Sequence, residues 1–160
     1  MERKELRERL DCFRQADLPR LRRLGAYFAG QHRILSERKE PGKPDNRLVN
    51  NFCRSITDST VGYFMGIPVS YGGDNPETLK EALRLCALND EPFVNSALAR
   101  DLSVYGRACE ILWCGMDGDV RFSPVSPETV FPILSEDVCE TLEGAVRTFR
   151  KRDGTVLVQY

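Results

Sequence analysis

The chain has 160 residues, of which 41% are hydrophobic and 29% charged, an ordinary composition for a globular domain with a hydrophobic core. The formal net charge is −1, so overall charge gives no reason to expect a nucleic-acid or membrane partner. No apolar run approaches the length of a membrane span, which argues against a membrane protein. We expect one domain over residues 1–160.

Charge is distributed unevenly along the chain. Residues 1–43 carry twelve Lys and Arg against seven Asp and Glu, whereas residues 44–160 carry eleven against seventeen. Four arginines of the basic part are candidate contact residues: Arg20, Arg22, Arg23 and Arg33. A solvated helix face explains them most simply, because charged side chains normally lie at the surface. The alternative is a polar contact surface for a neighbouring molecule.

Two helices are predicted at the N-terminus. Residues 3–15 have a helical apolar period, and Asp17 is predicted to cap a second helix with Pro19 in its first turn. Gly30 is predicted to end that helix, and residues 36–44 to form a polar loop. The apolar residues that recur at helical spacing are Leu6, Leu10, Phe13, Leu21, Leu24 and Phe28.

A third helix is predicted over residues 46–65, with Asp45 or Asn46 as its N-cap. Gly66 is predicted to end it and Pro68 to prevent its continuation. Its apolar residues are predicted to form one face at the packing centre of the domain: Leu48, Phe52, Ile56 and Tyr63.

This prediction has consequences for stability. Phe52→Ala is expected to leave a cavity that costs about 3–5 kcal/mol. Arg22→Ala and Arg23→Ala, on the predicted solvated face, are expected to change stability by no more than about 0.5 kcal/mol.

Further helices follow a short predicted strand at residues 67–71 and a turn at residues 72–75. Pro76 is predicted to open a fourth helix, and a fifth helix is predicted after Asn89 and Asp90, ending at Gly106. Their predicted apolar positions are Leu79, Leu83 and Cys86 in the fourth helix, and Phe93, Ala97, Leu98, Leu102 and Tyr105 in the fifth.

Beyond Gly106 the apolar period becomes that of extended strands. Strands are predicted at residues 109–114, 120–125, 129–134, 141–150 and 155–160, with Pro132 confining its strand to a sheet edge. Helices first and strands afterwards, without βαβ alternation, predict an α+β fold: N-terminal helices followed by a mainly antiparallel β-sheet. Because the chain stops inside this β region, we expect a truncated portion of a longer protein.

No sequence motif for catalysis, nucleotide binding or metal binding is present, so no catalytic residue, cofactor or metal is predicted. The segment 117–119 is predicted to be a hairpin turn because a strand follows where a calcium loop needs further oxygen ligands. His32 is interpreted as structural or surface-exposed. An acidic cluster is interpreted as solvated surface: Glu136, Asp137, Glu140 and Glu143.

The six cysteines show no CxxC pair and no zinc-ligand spacing. Most occupy apolar positions of predicted helices or strands, where a free cysteine behaves as a small hydrophobic residue. They are therefore interpreted as reduced, metal-free core thiols: Cys12, Cys53, Cys86, Cys109, Cys114 and Cys139.

Several short pieces stand in a fixed order along the chain: residues 27–35, Pro44 with residues 46–48, Asn51, residues 63–68, 105–108, 122–127 and 130–132. In this order and spacing, the chain resembles portal proteins of tailed bacteriophages of the siphovirus type, from about residue 18 to about residue 150. The family-motif positions carried by these pieces are Tyr27, Gly30, Asn46, Tyr63, Gly66, Pro68, Tyr105 and Gly106.

The resemblance implies a structural, non-enzymatic subunit of a ring, usually a dodecamer, at the portal vertex of the virion. The implied partners are other portal subunits, terminase, capsid and head-completion proteins, and the double-stranded DNA that is packaged and ejected through the channel, with no membrane. It also implies assembly in the host cytoplasm. A piece of this length resembles part of the wing, the outer α+β body, and alone is expected to be monomeric or weakly associated.

The residues alone leave two other functional classes of protein open. One is a nucleic-acid-binding regulatory domain that uses the basic N-terminal helices, for which salt-sensitive binding by residues 18–34 is expected. The other is a fragment of an enzyme whose catalytic residues lie beyond residue 160.

Overall fold

The computed structural model describes residues 3–37, 41–42, 44, 46–135, 137–139 and 141–159. Its α-helices are α1 (Arg3–Cys12), α2 (Leu18–Phe28), α3 (Phe52–Met65), α4 (Pro76–Leu88) and α5 (Glu91–Tyr105). Its strands are β1 (Cys109–Cys114), β2 (Val120–Val125), β3 (Val130–Leu134), β4 (Leu142–Arg150) and β5 (Val156–Gln159). The helices precede the strands, and all strand pairs are antiparallel, so the α+β prediction is confirmed.

The first two helices form one continuous rod. A π-helical turn, Phe13–Asp17, joins α1 to α2 without an interruption. Asp17 has helical dihedral angles (φ −77°, ψ −46°) and makes no side-chain cap, so its predicted role as an N-cap is wrong. The wider π turn keeps the backbone hydrogen-bonded through this point, and no helix end is left to be capped.

Helix α3 begins six residues later than predicted. Asn51 is the N-cap, since its side chain accepts a hydrogen bond from the backbone N–H of Arg54 at 3.1 Å. Asn46 belongs to an irregular segment before the helix, and the predicted cap role of Asn46 is therefore wrong. Asp45, the other predicted cap, lies outside the described residues. Arg47 donates to the backbone oxygens of Ile34 and Glu37 and so ties this segment to the preceding turn.

The predicted packing face of α3 points to solvent. All four residues of this predicted face are exposed to solvent, and the exposed fraction of Leu48 is 88%. The buried residues of α3 are instead Thr57 and Val61, one turn apart on the side facing α5. The prediction that the large apolar residues of α3 form the packing centre is wrong, because the helix turns Thr57 and Val61 inward instead.

The core lies mainly between the α1–α2 rod, α5 and the second sheet. Leu21 and Val146 are fully buried, and the rings of Phe13 and Phe131 are 5.2 Å apart. Its remaining buried apolar side chains among the described residues are Val94, Pro127, Val130, Ile133 and, at its margin, Val61. The predicted apolar positions Leu6, Leu10, Leu24 and Phe28 are partly buried.

Two small antiparallel sheets follow the helices. Strands β1 and β2 form a hairpin, and the second sheet has the order β3-β4-β5. Strand β3, which contains Pro132, lies at the edge of this sheet, as the sequence predicted. The strand predicted at residues 67–71 does not form; this segment is irregular and exposed.

Helices α4 and α5 begin where the sequence predicted. Asn75 caps α4 before Pro76, accepting from the backbone of Glu77 and Thr78. Helix α5 ends at Tyr105, and Gly106 takes a left-handed conformation (φ 75°) that favours glycine. The predicted apolar face of α5 is only partly correct, because Phe93 and Leu102 are exposed whereas Glu91 and Val94 are buried.

Candidate contact surfaces

The outward side of α3 carries large apolar side chains that are exposed to solvent. Phe52, Ile56 and Tyr63 are 68%, 66% and 95% exposed. At about 100° per residue, these three side chains lie within about 40° of one another on the helix and on the opposite side from Thr57 and Val61. We call Phe52, Ile56 and Tyr63 the α3 stripe.

The orientation of α3 is fixed by contacts on its inward side. The amide of Asn51 donates to the backbone oxygen of Phe28 at 2.9 Å. The guanidinium of Arg54 lies 5.8 Å from the centre of the Phe28 ring. Ser103 of α5 donates to the hydroxyl of Thr57 at 3.4 Å. Polar contacts to α2 and α5 therefore hold α3 with its apolar stripe outward.

The α3 stripe carries no charge. The only charged residues of α3 are Arg54 and Asp58, which pair with each other at 3.4 Å. Both lie on the side of the helix away from the stripe, about 200° and about 240° from Phe52 in helical rotation. The stripe is bordered instead by small residues, Ser59 and Gly62 among them.

The predicted basic contact residues are exposed side chains: Arg20, Arg22, Arg23 and Arg33. None of them makes an ion pair with another described residue. Arg22 lines a groove of about 200 Å³ between the α1–α2 rod and the second sheet, together with Glu128 and Phe131. Arg20 and Arg23 lie on the outer side of α2, and Arg33 lies in the 3₁₀ turn Arg33–Ser36. The structure therefore spreads these arginines over several surfaces.

Two of the family-motif positions, Tyr27 and Gly30, lie near the end of α2. Tyr27 packs edge-on against His32, with ring centres 5.1 Å apart, and the buried Nε2 atom of His32 has no hydrogen-bond partner among the described residues. Gly30 adopts φ 79°, and a Cβ there would come within 3.2 Å of the Asn51 amide nitrogen. Asn46 lies exposed in the segment leading to α3.

The other positions mark helix ends. Helix α3 ends at Met65, followed by Gly66 and then Pro68, while Tyr63 points outward in the α3 stripe. Tyr105 and Gly106 end α5. Asn51 makes the most contacts that position α3. The sequence indication for this role is that Asn, a residue type that favours the N-cap position, stands directly before Phe52.

Tyr105 joins three elements of the core. Its hydroxyl donates to Oε1 of Glu128 at 3.1 Å. A Cβ at Gly25 of α2 would lie 2.8 Å from the Tyr105 hydroxyl and 2.9 Å from Oε1 of Glu128, so a larger residue there would require these two side chains to shift. Burial, followed by the charge and the hydrogen bond of Glu128, raises the pKa of Tyr105 to about 12.

Within the described residues, no group of three or more His, Cys, Asp or Glu side chains could hold a metal ion. The turn at residues 117–119 is a hairpin turn, as predicted, and its carboxylates pair with arginines: Asp117 with Arg121, and Asp119 with Arg84. Of the predicted acidic cluster, Glu136 and Glu140 lie outside the described residues, whereas Asp137 and Glu143 are exposed.

The cysteines are less buried than predicted. Cys12, Cys53, Cys114 and Cys139 are exposed, and Cys86 and Cys109 are partly buried. The interpretation as core thiols is therefore wrong for the four exposed cysteines. Burial raises the pKa of the Cys109 thiol.

The phage portal protein family of the SPP1 Gp6-like type matches residues 10–160. The chain belongs to this family. No curated protein matches the chain. Membership confirms the resemblance seen in the sequence and gives the chain a phage portal role, within a structural family of the virion portal vertex. Among the described residues, no helix is long and apolar enough to cross a membrane.

Proposed function

We propose that the chain is a structural subunit of a portal ring, the head–tail connector through which phage DNA is packaged and ejected. The observation that carries the proposal is the family match over residues 10–160. In this proposal the subunit performs no catalysis and binds no cofactor or metal. Its partners are other copies of the same chain in a ring, usually of twelve, together with terminase, capsid and head-completion proteins and the DNA in the channel. It assembles in the host cytoplasm.

Contacts between the helical and strand regions support a role for residues 1–160 as one wing-like α+β domain. Phe13 of the rod packs on Phe131 of β3, and Arg9 donates to the backbone oxygen of Leu134 at 3.3 Å. The rod is therefore attached to the second sheet.

The test is genetic and uses the phage or prophage that encodes the chain. A nonsense mutation early in the coding sequence should yield heads without packaged DNA, and the complete wild-type coding sequence supplied from a plasmid should restore DNA-filled heads. Density-gradient centrifugation and electron microscopy separate the two kinds of head. DNA-filled heads formed at normal yield without the chain would overturn the proposal.

A nucleic-acid-binding role for the basic helices is the second candidate. It is favoured by the exposed arginines without ion-pair partners among the described residues, Arg20 and Arg23 on one side of α2. Such binding should weaken steeply as salt concentration rises. A gel shift at two ionic strengths, repeated with Arg20→Ala/Arg23→Ala, distinguishes this role, because a wing subunit needs no DNA affinity of its own.

A further inference from the structure

The chain exposes more surface than a monomer of its size normally does. Its solvent-accessible area is 12219 Å² at a mass of 18.2 kDa. A monomeric globular protein of this mass exposes about 8,100 Å². The difference, about 4,000 Å², is surface that contacts outside these 160 residues can bury.

This excess has the size of two subunit contacts. Obligate interfaces between subunits bury roughly 2,000–5,000 Å², or about 1,000–2,500 Å² from each partner. A subunit that touches one neighbour on each side buries such an area twice. Two such contacts would bury an area of this size.

The α3 stripe is the part of this surface best suited to a protein contact. Aromatic side chains are enriched and charged ones depleted at the centre of interfaces, and Phe52, Ile56 and Tyr63 fit that composition. A DNA-contacting surface needs Lys or Arg for the phosphates, and a membrane-surface helix needs basic residues beside its apolar face. The stripe has neither, since Arg54 lies on the inward side over Phe28.

Charge distribution favours a second copy of the chain as the occupant. Residues 1–43 are basic and residues 44–160 acidic, so two copies attract each other when the basic region of one faces the acidic region of the next. A head-to-tail contact provides this arrangement and leads to rings, whereas a two-fold contact places like regions together.

We infer that the α3 stripe is a subunit contact, buried in the portal ring against a neighbouring copy of the same chain. The inference rests on the proposed function and assigns a specific surface to it. It also explains why the apolar side of the amphipathic helix α3 faces away from the domain's own core. The apolar side of α3 contacts the partner, whereas Thr57 and Val61 pack within the domain itself.

The test compares two double variants that remove equally exposed apolar side chains. Phe52→Ser/Tyr63→Ser alters the α3 stripe, and Leu112→Ser/Met116→Ser alters the β1–β2 hairpin. All four residues are exposed, so both variants should melt as the wild type does. Sedimentation of the purified chain should show a weight-average mass that rises with concentration, and this rise should disappear in the α3 variant.

The same variants are then supplied to the nonsense mutant. The α3 variant should reduce DNA-filled heads at least tenfold, whereas the hairpin variant should restore them. If the α3 variant restores filled heads fully, or associates as the wild type does, the inference is overturned while the portal role stands. Normal filled heads in the uncomplemented nonsense mutant would overturn the portal role itself. Absence of association by the wild-type chain at every concentration would also count against the inference.

Discussion

Asn51 connects the start of α3 to the end of α2: its amide nitrogen donates to the backbone oxygen of Phe28 at 2.9 Å. The oxygen of the same side chain accepts the backbone N–H of Arg54 at 3.1 Å. One side chain therefore caps α3 and fixes its position relative to α2. This double contact sets the rotation of α3 that places Thr57 inward and Phe52 outward.

The first prediction concerns this contact. Asn51→Ala removes both hydrogen bonds and should lower the free energy of unfolding by about 0.5–2 kcal/mol, the usual cost of a lost N-cap. Asn51→Asp keeps the capping oxygen and loses only the donor to Phe28, so it should cost less. Urea denaturation measures both changes. Asn50→Ala is the control, and an equal loss for Asn50→Ala and Asn51→Ala would show that the double contact does not matter.

The second prediction reverses the stability order expected from the sequence. Leu21 is fully buried, so Leu21→Ala should cost about 2–5 kcal/mol. Phe52 is mostly exposed, so Phe52→Ala should change stability by no more than about 0.5 kcal/mol. Thermal or urea unfolding of the two variants compares them directly. A large loss for Phe52→Ala together with a small one for Leu21→Ala would place α3 back in the core.

Sequence patterns predicted the elements well but not which side of each faces the core. The structure confirms the features that depend on local backbone chemistry. These are the helix ends at Gly106 and before Gly66, the hairpin β1–β2 and the edge strand that contains Pro132. The apolar spacing of Phe52, Ile56 and Tyr63 is real as well. A single chain's periodicity does not distinguish a side packed within the domain from one that lies at its surface, and the α3 stripe lies at the surface.

The errors at Asp17 and Asn46 have a different cause. Both residue types are good caps, so local preference favoured them. The π turn at Asp17 and the anchoring of the pre-α3 segment by Arg47 are tertiary effects that short-range preference does not contain. The family, in contrast, was readable from the sequence, because it depends on the order of several short pieces.

The third prediction follows from Tyr105. Its folded-state pKa is raised to about 12 from an ordinary value of 10.0, chiefly by burial and then by Glu128. The folded protein therefore holds the phenol proton more tightly than the unfolded chain. Its contribution to stability is complete below pH 10 and is lost as the pH rises towards about 12. Melting temperature measured across this range should fall less steeply for Tyr105→Phe than for the wild type.

Tyr63 provides the matched control for this experiment. It is almost fully exposed, so Tyr63→Phe should leave the alkaline slope of the melting temperature unchanged. If Tyr63→Phe and Tyr105→Phe reduce the slope equally, the burial of Tyr105 beside Glu128 is not the cause.

The fourth prediction concerns the thiols. Cys12, Cys53, Cys114 and Cys139 are exposed and should react quickly with a thiol reagent in the native protein. The partly buried Cys86 and Cys109 should react slowly, Cys109 more so because its raised pKa lowers the thiolate fraction. In denaturant all six should titrate as free thiols, and elemental analysis should find no stoichiometric zinc. Fewer than six thiols, or one metal ion per chain, would contradict the reduced, metal-free interpretation.

The most direct measurement is hydroxyl-radical footprinting of the chain, free and assembled in phage heads, with oxidation read by mass spectrometry. In the free chain, Phe52 and Tyr63 should be oxidised rapidly because both are exposed. In assembled heads the oxidation rate of both should fall several-fold, while exposed side chains outside the contact, such as Met116 of the hairpin, should keep most of their reactivity. Equal oxidation of Phe52 and Tyr63 in the free chain and in assembled heads would contradict the assignment of the α3 stripe as a subunit contact.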